Sequence, residues 1–343
     1  MKIVFDLTTP KQTRFFSVLG KLLEARGHTI FNMSREYYEM NRLEKMLGLK
    51  VDRLGKHGGR DRADKLKASI DRTEKIYHYF REVEPDLLIT LSSPEASRVA
   101  FGLGVPIACF NDIPEAVAVG RLAVPLATRL FIPACVPDFE FLKLGAKSLY
   151  VYNSLDPCLW LEGMKKDSGV LVSLGVDPEK KLVVFRDEEL FASYLSEAHG
   201  SKVIEAVRVL KAKHPGWQFV YLPRYVNACD TGMNVIVPRD VIDSAQLLAH
   251  ADLFLGGGGS MNIESAYFGV PTINCRPLWC YYEKYLMVNG LTVKPDPLTV
   301  DRIVERSEDM MGTDNRAAAK AFFDNIKFPT DRIIMELESM GAK

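Results

Sequence analysis

A chain of 343 residues with 47% hydrophobic and 26% charged residues has a typical globular composition and is long enough for about two domains. Its 44 Lys and Arg residues balance 44 Asp and Glu residues, so no net charge attracts nucleic acid or an anionic membrane. No apolar run of about 18 residues predicts a spanning helix, and MKIVFDL is too short for a signal peptide. We therefore expect a cytoplasmic protein without a transmembrane segment or a nucleic-acid partner.

The first half alternates short apolar runs with stretches of helical periodicity, which is typical of a parallel sheet covered by helices. A helix over 63–83 is predicted to bury one stripe that includes Leu66, Ile70, either Ile76 or Tyr77, and Phe80. The basic residues between Asp52 and Arg72 alternate with aspartates, which favours an ordinary solvated helix face over the alternative of contact with an anionic acceptor or lipid headgroups. The predicted strands are KIVFDL (2–7), HTIFNM (28–33), PDLLITL (85–91), VPIACF (105–110), RLFIP (129–133) and SLYVYN (148–153).

The pattern loosens over 153–181, where Pro and Gly residues predict a linker. The strands predicted beyond it are KLVVF (181–185), WQFVYL (217–222), NVIVP (234–238), DLFLG (252–256) and PTINC (271–275). The fold class is therefore α/β, with two Rossmann-like domains whose parallel sheets face a ligand cleft. We expect an N-terminal Rossmann-like domain over 1–155, a C-terminal Rossmann-like domain over 165–312, and C-terminal helices over 313–343, with packing back on the first domain as one option.

A run of four glycines ends the strand DLFLG and precedes a helix. Gly257, Gly258, Gly259 and Ser260 would offer close backbone approach and helix N-terminal N–H groups to a phosphate. Glu264 lies one turn into the helix, where its carboxylate would accept two ribose hydroxyls. A tight turn and a helix cap are the alternatives for these two features.

Two arginines at predicted strand ends in the second half are candidate diphosphate ligands, because a guanidinium can donate two parallel hydrogen bonds to phosphate oxygens. Arg186 precedes three acidic residues that would neutralise it, which leaves a surface salt bridge as the alternative. Arg224 is likewise either a diphosphate ligand or part of a surface salt bridge. The aromatic residues Trp279, Tyr281, Tyr282 and Tyr285 would either stack on a sugar or base or pack between domains.

The segment GGGGSMNIESAYFGVP resembles the donor site of GT-B enzymes, in particular UDP-N-acetylglucosamine 2-epimerase and the N-acetylglucosaminyl transferase of peptidoglycan synthesis. Nearly the whole chain resembles an uncharacterised, largely archaeal family of predicted GT-B proteins, through FFSVLGKLLEARGH, KHGG, SPEASRVAFGLGVPIACFND and ASYL. This resemblance implies a UDP-sugar site in the second half, with Ser260 and the glycine N–H groups on phosphate and Glu264 on ribose. It also implies that backbone beside Val241 or Ile242 contacts the base.

The acceptor side is expected in loops that follow strands of the first half. Similar proteins carry histidines after the first strand, but this chain has Gln12 and Arg14 there, so a histidine mechanism does not transfer. His57 lies in the segment KHGG, which is either a flexible loop that closes over a ligand or a loop whose histidine is solvated. The remaining candidates follow two later strands and comprise Ser93, Glu95, Asn111 and Asp112.

The two acids among these candidates carry the predicted chemistry. The resemblance to the epimerase implies proton transfer by Asp112 and Glu95, whereas helix capping is the alternative for both. Our leading hypothesis is a UDP-sugar glycosyltransferase without metal or cofactor, since no DxD-like pair lies in a suitable loop. A sugar 2-epimerase and a non-catalytic nucleotide- or glycan-binding protein are the alternatives. The acceptor is unknown, being a glycan, a lipid or a small molecule, and a homodimer is left open.

Overall fold

The computed structural model describes residues 1–36, 38–59, 61–188, 201–223 and 232–341, and for residues 38 and 39 only the backbone. The chain divides into two units. Unit 1 comprises Met1–Trp160 and Lys327–Lys343, and unit 2 comprises Leu161–Ile326. Among the described helices, none is both long and apolar enough to cross a membrane.

Unit 1 is built on a parallel sheet with the order β3-β2-β1-β4-β5-β6-β7. Because β1 lies in the middle, the chain crosses the sheet from one side of β1 to the other, as in doubly wound folds. The strands are β1 (Lys2–Leu7), β2 (Thr29–Glu36), β3 (Asp52–Lys56), β4 (Leu87–Thr90), β5 (Ile107–Phe110), β6 (Arg129–Pro133) and β7 (Leu149–Tyr152).

The helices of unit 1 connect these strands, and a C-terminal helix completes the unit. The first begins after Thr9, whose side chain accepts the Gln12 N–H in a capping box, with Pro10 as its first residue. The helices are α1 (Pro10–Glu24), α2 (Tyr38–Met46), α3 (Arg62–Val83), α4 (Pro94–Leu103), α5 (Val117–Ala123), α6 (Asp138–Leu142), α7 (Cys158–Leu161), which reaches the unit boundary, and the C-terminal helix α15 (Thr330–Gly341).

Aromatic rings link the N-terminal and C-terminal parts of unit 1. The Phe15 ring meets the Phe110 ring of β5 at a centroid distance of 5.1 Å and the Phe328 ring at 5.6 Å. Phe328 also contacts Tyr152 of β7 at 5.5 Å. Buried aromatic pairs of this kind add to the stabilisation from burial alone. The segment that precedes α15 therefore belongs to the core of unit 1.

Unit 2 is built on a smaller parallel sheet, whose described strands have the order β11-β10-β8-β9. The strands are β8 (Leu182–Arg186), β9 (Gln218–Tyr221), β10 (Leu253–Gly256) and β11 (Thr272–Asn274). The helices are α8 (Gly169–Leu174), α9 (Lys202–Lys213), α10 (Ser244–Leu248), α11 (Gly259–Tyr267), α12 (Tyr281–Val288), α13 (Val300–Met310) and α14 (Arg316–Asp324).

Both faces of the unit 2 sheet are covered. Val183 and Phe185 of β8 point into one core with residues of α9 and α13. Leu182 and Val184, from the same strand, point into a second core with Leu247 of α10. Burial on both sides explains why these strands appear in the sequence as continuous apolar runs.

The structure corrects three details of the sequence analysis. NVIVP is not a described strand and contributes only a bridge from Ile236 to Val220. Strand β3 was missed, because an edge strand such as DRLGK need not be apolar. The predicted stripe of α3 is wrong at its first half, since Leu66 and Ile70 are 63% and 61% exposed.

Candidate functional site

A glycine loop follows β10 and leads into α11 of unit 2. Gly256 pairs in register with Arg186 at the end of β8, and the Gly257 N–H donates to the Arg186 carbonyl at 3.0 Å. Gly258 is the N-cap of α11, and within the described residues no side chain caps this helix. The N–H groups of the first turn and the half-buried Ser260 therefore offer hydrogen bonds to an anion.

Close packing accounts for two of these glycines. A Cβ at position 257 would overlap the backbone of Asp187, and one at position 259 would overlap the hydroxyl of Tyr282. Neither Gly257 nor Gly259 has a positive φ, so a left-handed backbone is not the reason for glycine here. The run of glycines therefore has a structural cause, and the evidence for an anion site is the uncapped helix end.

Replacing Gly257 by alanine is expected to destabilise unit 2 by about 1 to 3 kcal/mol, because the new methyl group meets backbone that cannot rotate away. Chemical denaturation measures this change. Gly216→Ala is the matched control, since a Cβ there meets nothing within 4 Å, and it should change stability by less than about 0.5 kcal/mol. Equal stability of the two variants would contradict the packing described for the loop.

An arginine network holds Tyr282 against the start of α11. The buried Arg276 guanidinium donates from Nη1 to the Tyr282 hydroxyl at 2.6 Å and lies 3.3 Å from Glu283 Oε1. Because the Tyr282 hydroxyl fills the space beside Gly259, this network sets the position of a phenol next to the first turn of the helix. The sequence analysis considered Tyr282 only for stacking or packing and missed Arg276.

The other unit 2 candidates are placed as follows. Glu264 lies one turn into α11 and is 2% exposed. Val241 lies just before Asp243, the N-cap of α10, and α10 packs against α11. Arg224 lies outside the described residues. The structure thus brings the glycine loop, Glu264 and Arg186 to one region, with Val241 in a loop beside the neighbouring helix.

One of the acids that follow Arg186 has a separate role. The Glu188 carboxylate accepts the backbone N–H groups of Lys202 at 3.0 Å and Val203 at 3.2 Å, at the start of α9. Burial raises the pKa of Glu188, although these hydrogen bonds oppose the rise. Glu188 is therefore engaged with a helix end rather than placed to neutralise the arginine.

In unit 1, three charged side chains meet where strands of the sheet end. Lys11 Nζ in α1 lies 2.5 Å from Asp112 Oδ2 and 2.7 Å from Asp156 Oδ2. Asp112 follows β5 and Asp156 follows β7, and the Tyr152 hydroxyl donates to Asp156. We call these four residues the Lys11 cluster. All of it is largely buried, with the Lys11 side chain 15% exposed.

Burial and charge act against each other in the Lys11 cluster. Burial raises the pKa of Asp112, Lys11 opposes that rise, and Asp156 adds to it. Burial would lower the pKa of Lys11, but Asp112 and Asp156 outweigh it and raise that pKa. Burial, with the same two carboxylates, also raises the pKa of the Cys135 thiol to about 12. The pKa of Asp112 is therefore raised above that of an exposed aspartate, which makes this carboxyl a candidate for acid–base work.

Glu95 is held in a different network. The Arg72 guanidinium pairs with Asp6 through two hydrogen bonds, of 2.5 and 3.1 Å, and reaches Glu95 Oε2 at 3.5 Å. Ser69 donates to the other oxygen of Glu95 at 2.7 Å. Arg72 is 2% exposed, so the prediction of a solvated helix face is wrong at this residue. These contacts give Glu95 an electrostatic partner within the fold.

Gln12 connects two loops of unit 1. Its side-chain oxygen accepts the Thr8 hydroxyl at 2.7 Å and the Thr9 N–H at 3.1 Å, while its amide donates to the Leu91 carbonyl at 3.2 Å. Gln12 is 6% exposed. Gln12 therefore caps α1 and joins the loops after β1 and β4.

Ser93 and Asn111 also make structural hydrogen bonds. Ser93 is the N-cap of α4 and accepts the Ala96 N–H. Asn111 donates to Ser92 at 2.8 Å and accepts the Ile113 N–H at 2.8 Å. Both lie at the strand ends that carry Glu95 and Asp112, and both contribute to the shape of those loops.

His57 is not brought to this region. It follows β3, which lies at the far edge of the sheet, four strands from β5 and so about 19 Å away across the sheet. Burial, together with Arg35 and Lys65, lowers the pKa of His57, which favours the neutral ring.

The sequence analysis missed Lys11, Asp156 and Arg72. Lys11 could have been found from its place in the first turn after β1, and Asp156 from its place just beyond the predicted strand SLYVYN, because the ends of parallel strands meet at one edge. Arg72 carries no such signal, since it lies within a helix among other charged residues. The expectation that the reaction needs no metal ion stays a prediction.

Comparison with known proteins places the chain in a family. Residues 1–337 match the family described as protein of unknown function (DUF354). An uncharacterized protein of Methanocaldococcus jannaschii is 26% identical over 321 residues, which cover 91% of this chain and 92% of that protein. The resemblance to an archaeal family is thus confirmed.

Solved structures resemble the fold. The M. jannaschii UDP-GlcNAc 2-epimerase in complex with UDP-GlcNAc and UDP has a TM-score of 0.72 and 15% identity, over 99% of this chain and 100% of that one. The Neisseria meningitidis UDP-GlcNAc 2-epimerase bound to UDP-GlcNAc has a TM-score of 0.69 and 14% identity, over 95% and 99%. Spinosyn forosaminyltransferase SpnP has a TM-score of 0.66 and 15% identity, over 100% of each chain.

These likenesses confirm the predicted fold class, with two parallel-sheet α/β units of the kind found in GT-B proteins. Together with the match over residues 1–337, they lead to one assignment: the chain belongs to the DUF354 family and has a GT-B-like fold.

Proposed function

We propose that this protein is a nucleotide-sugar-dependent glycosyltransferase that uses a UDP-sugar. The uncapped N-terminus of α11, directly after the glycine loop and beside Arg186, is the observation that carries the proposal. An N-terminal helix turn attracts a diphosphate through its N–H groups and its dipole. Structures of similar fold were solved with UDP or UDP-GlcNAc, which supports the choice of nucleotide.

The positions of the glycine loop, Arg186 and Glu264 support the following proposed nucleotide contacts. Ser260 and the N–H groups of the first turn of α11 bind phosphate oxygens, and Arg186 adds a positive charge. Glu264 accepts hydrogen bonds from the two ribose hydroxyls. The backbone beside Val241 contacts the base. In this scheme the helix end and Arg186 take up the negative charge that develops on UDP as it leaves.

Asp112 is the proposed general base. Its carboxylate takes the proton of the acceptor hydroxyl as the acceptor oxygen bonds to the anomeric carbon, and the bond from that carbon to the phosphate oxygen breaks. Because burial raises the pKa of Asp112, the carboxylate is a stronger base than an exposed aspartate. A single base is sufficient for transfer, which is consistent with Glu95 being engaged by Arg72.

Epimerisation is the second candidate. The solved UDP-GlcNAc 2-epimerases of similar fold favour it, as does the presence of a raised-pKa carboxyl that can exchange a proton. The two reactions are separated by incubating the protein with a UDP-sugar in deuterated water. Deuterium that enters the sugar ring without an added acceptor indicates epimerisation, whereas UDP release that depends on an acceptor indicates transfer.

Glu264→Ala is expected to weaken UDP binding by about 1.5 to 3 kcal/mol, roughly 10- to 150-fold, because hydrogen bonds between ribose hydroxyls and a charged acceptor are lost. Titration calorimetry with UDP measures the affinity. Glu305→Ala, at an exposed glutamate of α13, is the matched control and should bind UDP like the wild type. Equal UDP affinity in the Glu264 variant would remove this residue from the site, and a wild type that binds neither UDP nor other nucleotides would overturn the proposal.

A further inference from the structure

The charges of the Lys11 cluster do not balance. One ammonium group, on Lys11, faces two carboxylates, on Asp112 and Asp156, at 2.5 and 2.7 Å. If both carboxylates are ionised, the cluster holds a net negative charge in a place from which water is largely excluded. Such a charge is costly to bury, and the uptake of one proton removes it.

The two carboxylates differ in what surrounds them. The Asp156 side chain is fully buried, accepts the Tyr152 hydroxyl through Oδ1 and forms an ion pair with Lys11 through Oδ2. The Asp112 side chain is 10% exposed, and Lys11 is the side chain that the described structure shows bonded to it. Lys11 is shared by both carboxylates, whereas the Tyr152 hydroxyl donates to Asp156, and a donated hydrogen bond stabilises the charged form of a carboxylate.

We propose that Asp156 and Tyr152 are positioning residues. Asp156, held by the Tyr152 hydroxyl, neutralises the charge of Lys11, so that Asp112 is the carboxyl that binds and releases the proton. This inference rests on the proposed role of Asp112 and extends it to residues on the neighbouring part of the sheet. It explains why a buried lysine beside Asp112 does not simply lock that group in its charged form.

The groups that face Asp112 come from four parts of unit 1. Lys11 lies on α1, Tyr152 on β7, Asp156 beyond β7, and Cys135 beyond β6. Burial raises the pKa of the Tyr152 phenol, and the nearby carboxylates add to that rise, so the phenol remains a donor. The thiol of Cys135, with its pKa of about 12, stays neutral as well. These shifts keep the ammonium charged and the phenol and thiol neutral, which leaves proton exchange to the carboxyls of the cluster.

Asp156→Asn tests the proposal without removing the lysine. The variant keeps the size of the side chain and leaves a balanced pair of Lys11 and Asp112, so no buried charge loses its partner. The full ammonium charge then acts on Asp112 and stabilises its carboxylate. We expect the pKa of Asp112 to fall by at least about one unit. Tyr152→Phe, which removes the hydrogen bond to Asp156 and leaves the carboxylate in place, should lower the same pKa by less.

Carbon-13 NMR of carboxyl-labelled aspartate follows this titration in the free protein, and the signal lost in Asp112→Asn identifies the group. Asp138→Asn, at an exposed residue of α6, is the matched control and should leave the titration unchanged. An Asp112 signal that titrates at the same pH in Asp156→Asn as in the wild type, or at higher pH, overturns the proposal. So does a wild-type Asp112 that titrates within the range of exposed aspartates.

The measurement needs no substrate, so it is independent of the nucleotide assignment. A protein that fails to bind UDP while Asp112 shifts as expected would refute the proposed function and keep the positioning role. Where turnover is measurable, the limb of the pH–rate profile that reports Asp112 should move to lower pH in Asp156→Asn, with the KM for the UDP-sugar unchanged. A loss of turnover with an unmoved profile would indicate a merely structural effect.

Discussion

Asp112→Asn is expected to lower the rate of sugar transfer by about 100- to 10,000-fold while UDP affinity stays unchanged, because a general base contributes a factor of this size. Asparagine keeps the size of the side chain and removes the basic oxygen. Lys11 retains Asp156 as its partner, at 2.7 Å, so the variant leaves no unpaired buried charge. Acceptor-dependent release of UDP measures the rate, and titration calorimetry measures the affinity.

Asp138→Asn serves again as the control, because it makes the same chemical change at an exposed position of unit 1. Its turnover should equal that of the wild type. Full turnover in the Asp112 variant would show that this residue has a structural role only. A protein that binds the UDP-sugar but neither releases UDP with an acceptor nor incorporates deuterium would instead favour the alternative of a binding protein.

Arg72→Met is expected to destabilise unit 1 by about 3 to 5 kcal/mol, since it leaves the carboxylate of Asp6 buried without its cation. Asp6 is 0% exposed and accepts two hydrogen bonds from Arg72. Glu95 would lose its pairing in the same variant. Chemical denaturation monitored on the whole chain gives the change in the free energy of unfolding.

The double variant Asp6→Leu/Arg72→Met should recover most of this loss, because it removes both charges and fills the space with apolar side chains. Lys75→Met is the control for a charge removed from an exposed position of the same helix, and it should change stability by less than about 0.5 kcal/mol. A double variant as unstable as Arg72→Met would show that packing by the arginine, rather than the charge pair, stabilises this part of the unit.

The candidate site was predictable wherever a strand end or a glycine run marked it. Asp112 was identified because it follows an apolar strand, and the carboxyl ends of parallel strands share one edge. The loop with Gly258 and Ser260 was identified because a strand, glycines and a helix occur in that order. Arg186 was placed correctly at a strand end, beside Gly256. All these predictions depend on local order along the chain.

Side-chain partners over long sequence distances were not predictable. Lys11 and Asp112 are 101 residues apart, and Arg72 and Asp6 are 66 residues apart. Periodicity also failed on α3, which is about 33 Å long. Strand β3, against which α3 packs, spans only about 17 Å. A short sheet cannot cover a 22-residue helix, so Leu66 and Ile70 are left exposed.

The sequence by itself determined the class of fold, because alternating apolar runs and helical periods permit few arrangements other than helices packed on parallel sheets. It also determined which loops carry polar side chains at strand ends. Only the tertiary structure decided that Glu95 is held by Arg72, that Gln12 caps α1, and that Lys11 is shared by Asp112 and Asp156. The reason is physical: burial and pairing set the charge state of a carboxyl, and both depend on residues that the fold brings together from distant parts of the chain.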